Sequence, residues 1–369
     1  MTDHSAPTSL VVPSPNRALG TLARQSEAVI LPLAALLAGF GVFSVFLLMQ
    51  GYSPTAFFSL TYKAGFGTAF SWQNTLSRTA PLLFAALCVA LPARLGLVVI
   101  GGEGAIVLGG VAAGATGVLL APSPGMIAMP MMALSAMIVG GLWIGTVGAL
   151  RYYRGVNETI ASLLMAYIAI ALMNHLVEGP LRDPASLNKP STAPLADHLR
   201  VGDLPGWEVH WGLAFGMICC VLAWVLIEKT SWGFAARIAG GNMRAAQVQG
   251  LPVGWLIIGF TALGGALAGL AGFFEVAAVH GSANASLATG YGYTGILIAF
   301  LARHNPLAII PVAILLAGFE ASSGLIQRRM GLPDATTLVL QGFVFISILM
   351  SDTLYGRFKI FAPERWRSV

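Results

Sequence analysis

The sequence predicts an all-α membrane protein, a helical bundle with about ten transmembrane helices and both termini in the cytoplasm. Hydrophobic residues make up 56% of the 369 residues and charged residues only 9%, whereas a soluble domain carries about 25% charged residues. Residues 104–150 and 245–274 contain no Asp, Glu, Lys or Arg, and each stretch exceeds the ~20 apolar residues that cross a bilayer. Because neither stretch alternates as a β-barrel strand does, helices are favoured.

Apolar segments follow one another along the chain, separated by short polar or glycine- and proline-containing loops. They lie near residues 28–50, 79–94, 103–121, 126–150, 158–178, 209–228, 251–278, 290–303, 306–325 and 335–351. Residues 28–352 are therefore predicted to form the membrane domain, with cytoplasmic tails at 1–27 and 353–369. Within the domain, residues 179–208 form the longest outer loop and residues 229–250 a polar cytoplasmic loop.

The basic residues determine the predicted orientation. With the N-terminus inside, thirteen Lys and Arg residues lie in cytoplasmic segments and six outside, while Arg78 lies at a border; basic residues concentrate on the cytoplasmic side of membrane proteins. The same flanking residues account for the net charge of +5, so no nucleic-acid partner is predicted. All three cysteines lie in apolar stretches, which indicates neither a disulfide framework nor a metal site.

The polar loop at 229–250 is predicted to be a docking segment. It carries Arg237, Asn242 and Arg244 directly before a glycine-rich apolar helix. It alternates apolar and polar residues and contains two helix-compatible pieces around Gly240-Gly241-Asn242. In a chain that is otherwise nearly all membrane, such a loop is where a soluble partner would bind.

Glu103 is the first candidate for a substrate pathway. It stands among Gly101, Gly102 and Gly104 between two apolar stretches, and each glycine weakens a helix by about 1 kcal/mol relative to alanine. A broken helix and a carboxylate at membrane depth both require cover from protein or a water-filled cavity. One interpretation is a discontinuous helix that lines a pathway. The other is that Glu103 caps the helix that follows it, near the cytoplasmic surface.

Four further residues are candidates for the pathway. Glu275 follows the small-residue stretch Gly264–Gly272, which predicts close helix packing, and an intramembrane carboxylate is either functional or hydrogen-bonded to a neighbouring helix. Asn174 ends an apolar run in the fifth span. Tyr291 and Tyr293 lie in a glycine- and hydroxyl-rich stretch, where aromatic rings suit a sugar or a heterocycle, although tyrosines are also common at membrane interfaces.

The sequence contains no motif that indicates an enzyme. It has no H-E-x-x-H, no G-x-S-x-G at a strand–turn–helix junction and no Cys/His set. It also lacks G-x-x-x-x-G-K-[ST], so the chain cannot hold nucleotide phosphates in a P-loop. We therefore predict a transport subunit without catalytic residues, a metal or a bound cofactor; any ATP that drives transport must be used by a partner subunit.

Several blocks of the sequence resemble the permease subunits of ABC importers of the branched-chain amino acid/ribose group, and within it the nucleoside and simple-sugar permeases. The resemblance covers roughly residues 70–352. The blocks are GLVVIGGEGAIVLGG, NETIASLLMAYIA, GPLRDP, RIAGGNMRAAQVQGL, ALGGALAGLAG and GYGYTGILIAFLARHNPLAI, in that order.

The resemblance implies a complex in the inner membrane. Its other parts would be a cytoplasmic ABC ATPase, a second and often non-identical permease chain, and an extracytoplasmic substrate-binding protein. It also implies that the loop at 229–250 is the coupling segment that grips the ATPase. The residues assigned to this coupling are Arg237, Asn242, Arg244, Ala245 and Gly250.

The substrate is predicted from departures from the family pattern. This chain has Val99, Ala105 and Ala166 where relatives usually have polar residues, and unsatisfied substrate hydroxyls are costly to desolvate. A nucleoside or nucleobase-like solute is therefore expected, with a simple sugar as the alternative. A proton-coupled secondary transporter that uses Glu103, Glu275 and His175, and a membrane-embedded enzyme that uses the same acids, are competing hypotheses of other classes.

Overall fold

The computed structural model describes residues 15–186 and 189–354, which form helices joined by turns. Within these residues there is no strand, only the isolated β-bridges Ser191–Asn284 and Asp203–His210, so the all-α prediction is confirmed. The α-helices are α1 (Pro15–Met49), α2 (Pro54–Phe66), α3 (Ala69–Ala93), α4 (Gly102–Leu119), α5 (Gly125–Arg154), α6 (Glu158–Glu178), α7 (Gly212–Lys229), α8 (Ser231–Gly241), α9 (Met243–Val248), α10 (Val253–Phe274), α11 (Tyr291–Leu301), α12 (Pro306–Met330) and α13 (Ala335–Leu354).

Seven helices in the described part of the chain are long and apolar enough to cross a membrane. They are α3, α4, α5, α6, α7, α12 and α10 together with its π-helical continuation Glu275–His280. An eighth span is possible if the interrupted pair Leu33–Met49 and Pro54–Phe66 counts as one, and two shorter apolar helices occur at Ala285–Leu301 and Ala335–Ser351. The prediction of a polytopic helical membrane protein is confirmed at this level.

Helix α3 begins at Ala69 and not near residue 79 as predicted. The Oγ1 atom of Thr68 caps the helix by accepting a hydrogen bond from the Ser71 N–H at 3.1 Å. The polar side chains of the first turns then bind carbonyls at the end of α2, with Ser71 donating to Lys63 at 3.0 Å and Thr75 to Gly65 at 2.7 Å. The polar residues at the start of α3 therefore form a contact with α2, although their low hydropathy suggested a loop.

The predicted tails lie mostly outside the described residues. Residues 1–14 and 355–369 belong to them, whereas α1 begins at Pro15, within the segment predicted as the N-terminal tail. The described residues divide into two compact units, one formed by residues 15–52 and 338–354 and the other by Ser53–Thr337. In the first unit the rings of Phe43 and Phe343 lie 6.5 Å apart. The second unit contains every candidate site residue.

Small residues bring the central helices of the second unit together. In α10, Gly269 packs against Gly140 of α5 and Gly109 of α4, and a Cβ atom at any of these positions would overlap a backbone atom of the facing helix. A Cβ atom at Gly272 would likewise overlap the carbonyl oxygen of Ile106 in α4. The close packing predicted from the Gly264–Gly272 stretch is confirmed. It places the end of α10, and therefore Glu275, beside α4.

Candidate functional site

Glu103 holds the start of a helix that is distant in sequence. It lies in the first turn of α4 and is only 1% exposed. The N–H of Gly290 donates to its Oε1 at 2.7 Å and the N–H of Gly292 donates to its Oε2 at 2.6 Å. Both donors are at the N-terminus of α11, where unpaired amides and the helix dipole favour a negative charge. The Glu103 carboxylate therefore caps α11, whereas α4 itself has no side-chain cap hydrogen bond.

The glycines of the site have different roles. Gly290 has φ +91°, a left-handed conformation that favours glycine. At Gly292 a Cβ atom would overlap the backbone N of Glu103, and at Gly101 and Gly104 it would press on α6 at Ser162 and Ala166. At Gly102, by contrast, a Cβ atom would meet nothing closer than the Cys88 Sγ at 3.6 Å. A Cβ atom would therefore fit at Gly102.

A non-helical segment at residues 97–100 precedes α4 and is hydrogen-bonded to α6. The N–H of Ile100 donates to the Ser162 Oγ at 3.0 Å, and the Thr159 Oγ1 donates to the carbonyl of Val98 at 2.9 Å. These bonds satisfy backbone groups of the loop between α3 and α4 that no helix pairs. The predicted break at Gly101–Gly104 is wrong, because α4 runs without interruption from Gly102 through Glu103 and Gly104 to Leu119.

The residues used to predict the substrate do not face an open passage. Val99, Ala105 and Ala166 all have 0% exposure. Because their side chains are enclosed by neighbouring helices in this structure, the absence of amides at these three positions does not distinguish a sugar from a nucleoside. The choice between a sugar and a nucleoside therefore rests on other observations.

A group of ionisable side chains surrounds Glu275, which is 3% exposed. The His280 Nδ1 lies 3.5 Å from the Glu275 Oε2. Glu275 also interacts electrostatically with Arg78 of α3, the opposite charge, and with Glu320 of α12 and Glu103, which carry the same charge. Charges at membrane depth are costly unless they meet partners of this kind.

The tyrosines of α11 and Asn174 differ in their relation to this group. Tyr291 is buried and interacts electrostatically with the charged members of the group, which are Glu275, Glu320, Arg78 and Glu103. One turn further along α11, the Thr294 hydroxyl donates to the Glu320 Oε1 at 2.9 Å. Tyr293 is 39% exposed and interacts with Glu103 and with Tyr167 of α6. The structure does not bring Asn174 into the group, because it is half-buried on α6, whose main neighbours are α4 and α5.

Three members of the group, His280, Arg78 and Glu320, were not among the predicted site residues. Arg78 was counted as a charge at a span border, but α3 extends nine residues before it, so it lies well inside an apolar helix. Glu320 lies near the end of the predicted span at 306–325, but α12 continues to Met330. A single arginine within an apolar span is a signal that could have identified Arg78. Glu320 required the observed length of α12.

The loop at 229–250 forms two short helices, α8 and α9, separated at Asn242. The Asn242 Oδ1 caps α9 by accepting a hydrogen bond from the Ala245 N–H at 3.0 Å. Gly250, with φ +80°, lies in the turn that leads to α10. The two helix-compatible pieces predicted around Gly240-Gly241-Asn242 are confirmed. Arg244 and Ala245 are both exposed on α9.

A charge network joins α8 to the ends of two long helices. The Arg237 Nη2 donates to the Glu228 Oε2 at 2.8 Å, and the Arg94 Nη2, just after α3, lies 3.6 Å from the Glu228 Oε1. Gly240 packs on the backbone of Arg94 and Leu95. Burial lowers the pKa of the Arg94 guanidinium, and Glu228 opposes that shift. Neither Arg94 nor Glu228 was a predicted site residue.

The described residues contain no group of three or more His, Cys, Asp or Glu that could hold a metal ion. The ionisable group around Glu275 consists of carboxylates, one guanidinium, one imidazole and a phenol. Such a set offers hydrogen-bond donors and acceptors together. Its chemistry suits recognition of a polar solute.

Comparison with known proteins defines the class of the protein. Residues 71–349 match the family model described as the permease component of branched-chain amino acid transport systems, and the chain belongs to this family. It is 30% identical to the glucose ABC transporter permease protein TsgB13 of Haloferax volcanii, over 89% of each chain. It is 28% identical to the guanosine ABC transporter permease protein NupP of Bacillus subtilis, over 89% of this chain and 95% of the relative.

Family membership settles the general mode of action. The predicted resemblance is confirmed: the chain is a multi-pass permease subunit of an ABC transporter and not an enzyme, and ATP hydrolysis takes place on a separate subunit. The family works with ATPase and substrate-binding partners. The hypotheses of a proton-coupled carrier and of a membrane enzyme gain no support. A further relative, 25% identical over 85% of this chain and 83% of its own length, is the probable riboflavin import permease protein RfuC of Treponema pallidum.

Proposed function

We propose that the chain is the inner-membrane permease of an ATP-driven importer. It would pair with a second, homologous permease chain, a cytoplasmic ABC ATPase and an extracytoplasmic substrate-binding protein. The observation that carries the proposal is the segment α8–α9. Its exposed face, with Arg244 and Ala245, offers a surface to a soluble partner, while the Arg237–Glu228–Arg94 contacts attach it to the ends of α7 and α3. In this proposal Arg237, Asn242 and Gly250 shape the segment rather than bind substrate.

The proposed substrate is a nucleoside or nucleobase-like solute, with a simple sugar as the second candidate. Relatives of the chain include permeases named for guanosine and for nucleosides, and one named for glucose. The nucleoside is placed first because more of these relatives are named for nucleosides than for a sugar. The group around Glu275 is compatible with either candidate, because the Arg78 guanidinium and the Tyr291 hydroxyl can donate hydrogen bonds and the carboxylates can accept them.

The proposal includes ten membrane spans with both termini in the cytoplasm. Counting the interrupted pair and the two shorter apolar helices as spans, in addition to the seven long ones, brings the number to ten. The distribution of Lys and Arg supports this orientation. In this arrangement α8 and α9 lie on the cytoplasmic side, where an ATPase would bind.

Uptake by the reconstituted complex tests the proposal. Proteoliposomes that hold both permease chains and the ATPase, with binding protein added, should accumulate radiolabelled guanosine only when ATP is present. An uncoupler should leave this uptake intact, and glucose should compete poorly. Accumulation by this chain alone after a pH step would refute ATP-driven import, and efficient competition by glucose would transfer the assignment to the sugar.

A further inference from the structure

Charged side chains hold both ends of α11 through its backbone. At its start, the Glu103 carboxylate accepts hydrogen bonds from Gly290 and Gly292. At its other end, the Arg94 Nη2 donates to the carbonyl of His304 at 3.3 Å, in the turn that leads to α12. Between the two ends, α11 packs against α3 so closely that a Cβ atom at Gly295 would lie 2.7 Å from the Ala85 Cβ. Movement at either end must therefore involve the whole helix.

The turn after α11 has an unusual backbone. Arg303 and His304 have φ angles of 51° and 55° and are the only non-glycine residues with positive φ in the described chain. Such conformations cost free energy and persist only where surrounding contacts impose them. The contacts include the Arg94 bond to the His304 carbonyl and the Phe300 ring, whose centre is 4.9 Å from the His304 ring. A turn held in this way can change when its contacts change.

Arg94 also belongs to the network that attaches α8. Its guanidinium lies between the His304 carbonyl and the Glu228 carboxylate, which in turn binds Arg237. Its Nε is buried and has no hydrogen-bond partner among the described residues, whereas most buried polar atoms are satisfied. One side chain therefore connects α8 to the end of α11.

We propose that Arg94 is a positioning residue that transmits movement of α8 and α9 to α11, and through Glu103 to the start of α4. The inference rests on the proposed function, because the movement would come from an ATPase bound to α8 and α9. Helix α11 has eleven residues and is about 16 Å long at 1.5 Å per residue. It carries Tyr291 and Thr294, which face the charges around Glu275. A shift at the Arg94 end would thereby reposition the group proposed to meet the substrate.

The test measures coupling in the complete reconstituted complex. In complexes of Arg94→Gln that retain the ATPase, the amount of guanosine imported per ATP hydrolysed should fall at least tenfold. Arg94→Lys, which keeps the charge beside Glu228, should restore part of this ratio. The matched control is Arg151→Gln, which breaks the 3.3 Å ion pair with Glu158 between α5 and α6. This control should change the ratio less than twofold.

A structural measurement tests the same inference without transport. Trapping the ATPase with ATP and vanadate should change amide hydrogen exchange in residues 291–305 of the wild-type complex, and Arg94→Gln should remove that change. If Arg94→Gln prevents assembly, Glu228→Gln is used instead. It removes the carboxylate that contacts both Arg94 and Arg237, and it should give the same loss of coupling.

Three results would overturn the inference. The first is a wild-type coupling ratio in Arg94→Gln, or in Glu228→Gln if that variant is used instead. The second is an equal fall of the ratio in Arg94→Gln and Arg151→Gln. The third is amide hydrogen exchange in residues 291–305 that does not change when the wild-type complex is trapped. A wild-type complex that imports no guanosine with ATP would instead refute the proposed function, and the inference with it.

Discussion

At the scale of single residues, the structure is most informative about how an acidic side chain is accommodated deep in a helical bundle. Glu103 has no basic partner within hydrogen-bond distance among the described residues; both carboxylate oxygens accept backbone N–H groups of α11. Hydrogen bonds to an ionised acceptor are stronger than neutral ones. The charge of Glu103 therefore contributes to holding two helix starts together.

Glu103→Gln should destabilise the protein by more than an ordinary helix-cap change. The glutamine NH₂ would face a backbone N–H donor, so a buried hydrogen bond to a charged group is lost, at a cost of about 1.5–3 kcal/mol. The free energy of unfolding in mixed micelles measures this cost. Glu178→Gln at the exposed end of α6 should stay within about 0.5 kcal/mol of the wild type. Equal stability of the two variants would show that Glu103 does not clamp α11.

A pair of glycine substitutions tests the contact between α4 and α11. Gly292→Ala should destabilise the fold by about 1–3 kcal/mol or more, because its Cβ would overlap backbone atoms of Glu103 that cannot move independently. Gly102→Ala has room for its Cβ and should be neutral or gain up to about 1 kcal/mol from helix propensity. Thermal unfolding of both variants in one detergent gives the comparison. A Gly102→Ala protein less stable than Gly292→Ala would contradict the observed packing.

At the scale of secondary-structure elements, α8 and α9 combine a fixed side with a free one. Ala246 of α9 is buried, while Arg244, Gln247 and Val248 around it are exposed. The exposed side carries one basic residue and apolar surface, which suits contact with a protein partner. The buried side and the ion pairs to Glu228 give that contact a rigid base.

Arg244→Glu should weaken the association of the permease with its ATPase without unfolding the membrane domain, because it reverses the charge of an exposed side chain for which the structure gives no ion pair. Co-purification of the ATPase with tagged permease measures the association, and we expect a loss of at least tenfold. Arg154→Glu, equally exposed at the end of α5, should retain the ATPase. Full retention in both variants would remove Arg244 from the docking surface.

At the scale of the whole molecule, the orientation in the membrane connects the two functional regions. Placing α8 and α9 in the cytoplasm puts the segment around Trp207 and Glu208, which precedes α7, on the outside. A substrate-binding protein would then approach from that side and the ATPase from the other. The group around Glu275 lies between the two sides, since Arg78 and Glu320 are in the interiors of α3 and α12.

Cysteine labelling tests this orientation. After the native Cys88, Cys219 and Cys220 are replaced by alanine, Val248→Cys, which lies at an 89% exposed position, should react with a membrane-impermeant maleimide only in permeabilised cells. Glu208→Cys should react in intact cells. Reaction of Val248→Cys in intact cells would reverse the proposed topology and place the coupling segment on the wrong side for an ATPase.

The sequence alone determined the membrane class, the helical architecture, the family and the two-helix form of the segment around Asn242. These properties depend on composition, on apolar stretches of sufficient length and on residues that are neighbours in the chain. The helix propensities of Gly240 and Gly241 and the capping preference of Asn242 act locally, so their effect could be predicted.

Only the tertiary structure decided which side chains meet. The amide partners of Glu103 are 187 and 189 residues further along the chain, and the carbonyl bound by Arg94 is 210 residues away. The group of Arg78, Glu275 and Glu320 comes from three helices, and Val99, Ala105 and Ala166 proved to be enclosed. Hydropathy specifies that a helix is in the membrane but not its rotation or depth, which depend on packing against neighbouring helices. The partners of a buried charge are therefore fixed only when the helices pack together.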